Sequence, residues 1–495
     1  MKPNLPTLLV SGTALLSLNS IVAKEQQQPN ILFVCIDDLR TQIGAYGNKS
    51  TITPNLDKIA AEGRLFNNQY VQVPTSGPSR ACMLTGQPMK RIEDINHHFL
   101  AKKLAGTEEG VEPETFVHHL RRNGYYTVGM GKVSHNSRGH VRREGKLEME
   151  LPHSWDKFIF DEQSIWKGVD PLHSYADGVG RQKDRTKNPS FQFLDVSDER
   201  YPDGRLAEVA LGELDELAQN KGDKPFFMAV GFYKPHLPFC APKKYWDMYS
   251  DEDIEPSPNP LLPEGVSSLF LHNSDEFNGQ YNHPEGEKAG MGKQLSAEYA
   301  RDLRHAYCAA LTYSDAQLGK LMAKLKETGL DKNTIIIVWG DHGWHLGEHT
   351  IWGKHSSFER ALNSTFMVKM PKQKKAGVAT DGLIAAIDIY PTVCDLAGVE
   401  KPNCIEGESF VKLIDNPKAK GKDDVISYWR NILSIRTDRY RMALFNNGTT
   451  EEVMLFDHKL DPNETRNVAA ENPAVVADLR ARIKAQNNGF LPALK

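Results

Sequence analysis

The chain has 495 residues, of which 25% are charged and 40% hydrophobic, enough apolar material to bury one large core or two unequal ones. A formal net charge of -4 supplies no global field for nucleic acid or an anionic membrane, so any anion recognition must be local.

Lys2, an apolar stretch from Leu8 to Val22 and Ala23 precede the polar run Lys24 to Gln28. This order predicts a cleavable signal peptide over residues 1–23 and a periplasmic or secreted protein, with a plain cytosolic tail as the competing reading. No other segment reaches the roughly 18 apolar residues that cross a bilayer, so stable membrane insertion is not expected.

Ile31 to Ile36 reads as a buried strand running straight into Asp37 and Asp38. Pro54 to Glu62 is a helix stopped by Gly63, and Thr115 to Asn123 another closed by Gly124. Tyr126 to Met130 is a strand leading into Gly131, Lys132 and His135; Phe226 to Val230 leads into Lys234 and His236. The helix from Ala297 to Thr328 carries Leu303, Tyr307, Leu311, Leu318, Leu321 and Leu325 at helical spacing. Ile335 to Trp339 then leads into Gly340, Asp341 and His342.

The alternation predicts an α/β fold: a large, mostly parallel sheet covered by helices on both faces. In such sheets ligands bind beyond the carboxyl ends of the strands, where all four polar clusters fall. From about Lys420 short strands (Val425 to Trp429, Ile432 to Arg436, Tyr440 to Phe445, Val453 to Phe456) and a helix from Pro473 to Gln486 read as a smaller C-terminal subdomain of antiparallel sheet plus helix. The expected division is thus 1–23, a catalytic unit over 24–419, and 420–495. Regions 136–205 and 250–295 lack periodicity and read as long surface loops. Six cysteines show no CxxC spacing; Cys394 and Cys404 flank a turn with Gly398 and Pro402, and export would permit a bridge there.

Adjacent Asp37 and Asp38 are mutually unfavourable unless a cation joins them, and Asp341 with His342 stands at another strand end. A solvated acidic turn is the competing reading of either pair alone, and the place of both at strand ends weighs against it. Oxygen-rich ligation favours Ca²⁺ or Mg²⁺, with the histidine leaving the choice open. In Ser76, Gly77, Pro78, Ser79, Arg80 through Gly86, Pro78 suits the first helical position and puts Ser76 at a helix N-terminus. Ser before Gly and Pro is also an ordinary helix cap.

The spacing Ser76, any, Pro78, Ser79, Arg80, followed by Leu84, Thr85, Gly86, resembles the signature of the type I sulfatases of the alkaline phosphatase superfamily. The resemblance runs through Thr53 to Asp57, Gly131 and Lys132, Lys234 to His236, Asp341 to Gly343, and Leu455 to Asp457 with Asp461 and Pro462. It is nearest to iduronate-2-sulfatase-like enzymes through His135, the Lys234 to Phe239 run, Trp344, Leu346 to His349, and Lys354.

The resemblance implies that Ser76 is oxidised to formylglycine (3-oxoalanine) by a maturase; serine in place of cysteine resembles sites served by anaerobic radical maturases. It further implies one Ca²⁺ held by Asp37, Asp38, Asp341, His342 and residue 76. One hydroxyl of the hydrated aldehyde would attack sulfur, and removal of the other hydroxyl's proton would expel sulfate. His135 is the implied base, His236 the group serving the departing sugar oxygen, Lys132 and Lys354 the sulfate holders, and Arg80 the support of nucleophile and metal site. One cation at ~4 Å and an effective dielectric of about 20 gives roughly 4 kcal/mol against the 8 to 23 kcal/mol of a typical enzymatic barrier reduction, so several are required.

Trp344 is expected either as a substrate platform or in the core. Arg138, Arg142, Arg143, Trp155 and Trp166 could face an anionic glycan or simply belong to a solvated loop. The implied substrate is a sulfated carbohydrate, an algal polysaccharide or a glycosaminoglycan, including a 2-O-sulfated uronate. Two alternatives stay open: a phosphodiester or phosphonate hydrolase of the same superfamily, and a non-catalytic sulfated-glycan binder.

Overall fold

The computed structural model describes residue 1 and residues 28–110, 112–160, 169–219 and 224–492; the expected signal peptide and Trp166 lie outside them. Strands β1 (Asn30–Ile36), β2 (Arg64–Leu65), β3 (Tyr126–Gly131), β4 (Lys157–Ile159), β5 (Phe226–Phe232), β6 (Thr334–Gly340) and β7 (Phe366–Lys369) form one sheet in the order β2-β7-β6-β1-β5-β3-β4. β1 lies parallel between β6 and β5, Ile31 opposite both Ile335 and Phe227, and β3 continues the parallel run. β7, between β6 and β2, runs antiparallel to both, a reversal that leaves the sheet mostly parallel, as expected.

Side chains of β1 alternate between two cores, as the period of a strand requires. Leu32, Val34 and Ile36 pack with Leu56 and Ile59 of α1 (Pro54–Glu62), Leu206 and Leu214 of a helix spanning Pro202–Gln219, and Leu303, Leu311 and Leu318 of the helix Ala297–Thr328. Ile31, Phe33 and Cys35 pack the other way, against Cys82 and Leu84 of α2 (Ser76–Thr85), Phe116 and Leu120 of α3 (Phe116–Arg122), and Val393 of the helix Ile389–Ala397. Each such aliphatic or aromatic side chain contributes roughly 1.5–3 kcal/mol on burial, so the central strand is anchored from both sides.

The C-terminal strands β8 (Val425–Trp429), β9 (Ile432–Arg436), β10 (Tyr440–Asn446) and β11 (Glu451–Asp457) form an antiparallel meander. The helix Pro473–Gln486 covers it, and Leu433, Ile435, Leu455, Leu479 and Ile483 join the same core as Ile31 and Phe33. Regions 136–205 and 250–295 are not wholly irregular: they hold a hairpin, His140–Arg143 with Lys146–Met149, and a short helix, Asp275–Gln280. Cys394 and Cys404 are both unbridged. No helix among the described residues is long and apolar enough to cross a membrane.

Candidate active site

Parallel β1, β6, β5 and β3 deliver their following residues to one edge of the sheet. Asp38 adopts φ 58, the left-handed region that aspartate tolerates and that marks a functional bend. Its backbone N–H donates to Asp341 Oδ1 at 3.0 Å. The loop after β3 can press against β5 because position 231 is glycine; a Cβ there would collide with the Lys132 backbone.

Thr75 is the residue preceding α2 and Ser76 its first, so Pro78 stands two residues further in than the first helical position expected for it. Ser76 still occupies the helix start, where backbone dipoles favour negative charge. Its hydroxyl donates to Asp37 Oδ1 at 3.3 Å and lies 3.0 Å from His342 Nε2. Since His342 Nδ1 bonds the Gly343 carbonyl at 3.0 Å, Nδ1 carries the proton and Nε2 presents a lone pair to the site. One turn along α2, buried Arg80 donates from Nε to Asp341 Oδ2 at 3.0 Å and from Nη2 to Asp37 Oδ1 at 3.1 Å. Its remaining nitrogen serves the Lys132 and Val133 carbonyls.

Lys132 Nζ meets Asp37 Oδ2 at 2.5 Å, and Lys354 Nζ meets Asp38 Oδ1 at 3.0 Å. Both lysines, with Ser76, His135 and His236, line a cavity of about 360 Å³. His236 donates from Nδ1 to the Leu237 carbonyl at 2.6 Å, which leaves Nε2 toward Asp38 and Glu276, 3.9 and 3.4 Å away. The His135 ring stacks on His97 with centroids 4.2 Å apart, and its buried Nδ1 has no hydrogen-bond partner among the described residues.

Electrostatics divide the carboxylates. Burial would raise Asp37, but Lys132, His236 and Arg80 outweigh it and hold the group well below the usual carboxylate range. Burial drives Asp38 well above that range against the pull of Lys354, with Asp37 and Asp341 adding repulsion. Burial, opposed by Arg80 and reinforced by Asp37, pushes Asp341 up to about 6. The three buried carboxylates stand against three cations, Arg80, Lys132 and Lys354. Ligating atoms of Asp38, Asp341 and His342 lie within 4.8 Å of one another, as do those of Asp37, Asp38 and His236, so each triad, sharing Asp38, has donors of the kind and spacing a divalent cation takes. Burial and then Lys354 hold His236 and His342 well below the ordinary imidazole value, and burial with Lys132 does the same to His135.

Thus Asp37, Asp38, Ser76, Arg80, Lys132, His135, His236, Asp341, His342 and Lys354 converge. Trp344 does not face the cavity: it is buried, and Lys354 Nζ sits 5.1 Å from its ring centroid, so it supports the lysine instead of a substrate. Trp155 is also a core residue, packed on Phe158 and Phe227, and offers no face to a glycan. Arg138 donates to the Val169 carbonyl, while Arg142 and Arg143 belong to the hairpin after β3 and bond the Gly145 and Ala105 carbonyls. None of the three lines the cavity. Its walls are completed by His97, His173, Arg181, Glu276, Gln280 and His355, which sequence reasoning missed. They come from loops and short helical turns whose sequence has no periodicity, and only the tight clustering of ionisable residues, as in Asp275 and Glu276, could have flagged them.

A hydroxyl at a helix start beside a buried carboxylate cluster, walled by lysines and histidines, offers the groups that hydrolysis of an anionic ester requires. The chain belongs to the sulfatase family, enzymes that hydrolyse sulfuric esters: the Sulfatase family model matches residues 29–399. A second, described as N-sulphoglucosamine sulphohydrolase, C-terminal, matches 347–489. A sulfatase of Formosa agariphila is 29% identical over 466 residues, covering 90% of this chain and 84% of its own length. Human iduronate 2-sulfatase is 26% identical over 430 residues, covering 77% and 73%. Among solved structures, the phosphonate monoester hydrolase of Agrobacterium radiobacter shares the fold with a TM-score of 0.72 at 21% identity, covering 93% of this chain and 96% of that one.

Proposed function

We propose that this enzyme removes sulfate from a sulfated carbohydrate, an algal polysaccharide or a glycosaminoglycan, with a 2-O-sulfated uronate among the candidates. The observation that carries the reading is Ser76 at the start of α2, within reach of Asp37 and His342 and open to a cavity walled by Lys132, His135, His236 and Lys354. The sulfatase relatives, the human iduronate 2-sulfatase among them, support a sulfated sugar as substrate. The leader-like residues 1–23 support export to the periplasm.

Residue 76, converted from Ser76 by a separate maturase, would supply as hydrated formylglycine a hydroxyl able to attack sulfur. A calcium ion held by Asp37, Asp38, Asp341 and His342, with residue 76 beside it, would lower that hydroxyl's pKa and offset the charge developing at sulfur. Arg80 keeps Asp37 and Asp341 at fixed orientation. Lys132 and Lys354 hold the sulfate oxygens, and the low dielectric of a buried cavity strengthens each contact. His135, kept neutral by burial and Lys132, is the base for the second hydroxyl proton. His236 protonates or hydrogen-bonds the departing sugar oxygen; an anion bound beside it raises the proton affinity of Nε2, which faces the cavity.

Mass spectrometry of the Ser76 peptide from the native host tests the reading: formylglycine lowers the mass by about two units relative to serine, and purified enzyme should release sulfate from sulfated glycans. A wholly unmodified Ser76 would overturn the mechanism in favour of a binding protein or a plain hydroxyl nucleophile. The shared fold of the phosphonate monoester hydrolase makes a second comparison decisive: preference for aryl phosphate diesters over sulfate esters would overturn the substrate class.

A further inference from the structure

Glu276 has no part assigned to it in the proposed chemistry. It belongs to the short helix Asp275–Gln280 and lines the same cavity as Ser76. Its Oε1 is 3.4 Å from His236 Nε2, the atom facing the leaving oxygen, and its Oε2 is 3.6 Å from Lys354 Nζ. Lys354 is already paired with Asp38 at 3.0 Å, so Glu276 is not needed to neutralise it. No described residue donates a hydrogen bond to either Glu276 oxygen, while Arg181 and Gln280 share its wall.

A carboxylate beside an anion-binding cavity repels the substrate's sulfate, so it is tolerable where it accepts hydrogen bonds from the substrate itself. Oxygens on adjoining carbons of a sugar ring lie within hydrogen-bond distance of one another. A ring whose ester oxygen reaches His236 Nε2 therefore carries its neighbouring hydroxyl to Glu276. A second sulfate, a carboxylate or a glycosidic link at that neighbouring carbon would supply no donor.

We propose that Glu276 is a specificity-determining residue that accepts a hydrogen bond from a free hydroxyl on the carbon next to the sulfate ester. The preferred substrate is then a secondary ring sulfate with an unsubstituted neighbour, and a primary 6-sulfate, whose adjoining carbon bears only the ring oxygen, is disfavoured. The inference rests on reading the cavity as a sulfatase site.

The test pairs two substrates with two enzymes. A panel of glucose, galactose, hexosamine and uronic acid monosulfates identifies the ring sulfate turned over fastest, and the matched analogue with the neighbouring hydroxyl replaced by hydrogen is then compared. Wild type should lose roughly 10- to 100-fold in kcat/KM on the deoxy analogue, the scale of one hydrogen bond to a charged acceptor. Glu276→Ala should lose far less between the same two substrates, and Glu276→Gln should fall between. If Glu276 only positioned His236, both enzymes would lose alike, and that result overturns the proposal, as does fastest turnover of a 6-sulfate. Hydrolysis of para-nitrophenyl sulfate separates the two layers. Formylglycine-bearing wild type inactive on it and on the whole panel refutes the sulfatase reading and this inference together, whereas activity without hydroxyl dependence refutes the inference alone.

Discussion

Replacing Arg80 by lysine keeps the charge and removes the fork. The guanidinium makes four hydrogen bonds, to Asp341, Asp37 and the Lys132 and Val133 carbonyls, from a position fully shielded from solvent. An ammonium has three donors around one point and cannot span two carboxylates and two carbonyls on different elements. Three donors leave at least one of the four without its bond; Asp341, which then keeps the Asp38 N–H but no guanidinium, is the group most exposed to that loss, and an uncompensated buried charge costs about 3–5 kcal/mol. Arg80→Lys should therefore lose about 3–5 kcal/mol of unfolding free energy in urea titrations near neutral pH in the presence of a chelator. With saturating calcium the deficit should narrow, because the ion shares the neutralisation of Asp37 and Asp341. A variant within about 1 kcal/mol of wild type under chelation would refute the argument that the fork, and not the charge alone, holds the carboxylates together.

Calcium at a hundredfold excess over its dissociation constant should stabilise the wild type by about 2.7 kcal/mol in thermal or urea melts; Asp341→Asn should abolish most of that gain, and a gain that persists would place the ion elsewhere. Ser76→Ala should remove sulfate release altogether while its melt stays within about 1 kcal/mol of wild type, measured by ion chromatography and circular dichroism. Glu348→Gln tests a buried pair away from the chemistry: burial would raise this carboxyl, but Arg40, 2.6 Å away, and Arg360 hold it well below the usual range. A depressed folded pKa stabilises at pH above the unfolded value of about 4.3, so the wild-type advantage of about 3–5 kcal/mol should be full near neutrality and shrink as pH falls below about 4.3, and a pH-independent gap would refute it. Trp155→Ala should cost about 3–5 kcal/mol without changing KM for a sulfated glycan; a large rise in KM at normal stability would return Trp155 to the substrate.

The chemistry was legible in the sequence where it is tied to regular elements. An unbroken, β-branched apolar run ending in Asp37 and Asp38 suits a strand covered on both faces, and parallel strands bring their carboxyl ends to one edge. Helix bounds at Pro54–Glu62, Ala297–Thr328 and Pro473–Gln486 coincide with the capping and breaking residues that delimit them. β7 was not legible: Phe366–Lys369 is a four-residue strand antiparallel to both of its neighbours, too short for periodicity to set its direction. Trp344 carried two readings because its one-dimensional context is the same whether it faces a ligand or lies under Lys354.

The residues that complete the cavity mark the deeper limit. Glu276, Arg181, His173 and His97 stand in segments with no shared period and meet only in three dimensions. Strand ends can place a nucleophile and its carboxylates because a sheet imposes one direction on many residues. A wall built from separate loops has no such constraint, so the reaction was readable from the chain while the shape that selects the sugar was not. The same freedom lets Glu276 change without disturbing β1, β6 or α2, which is why substitutions there should move substrate preference before they move the fold.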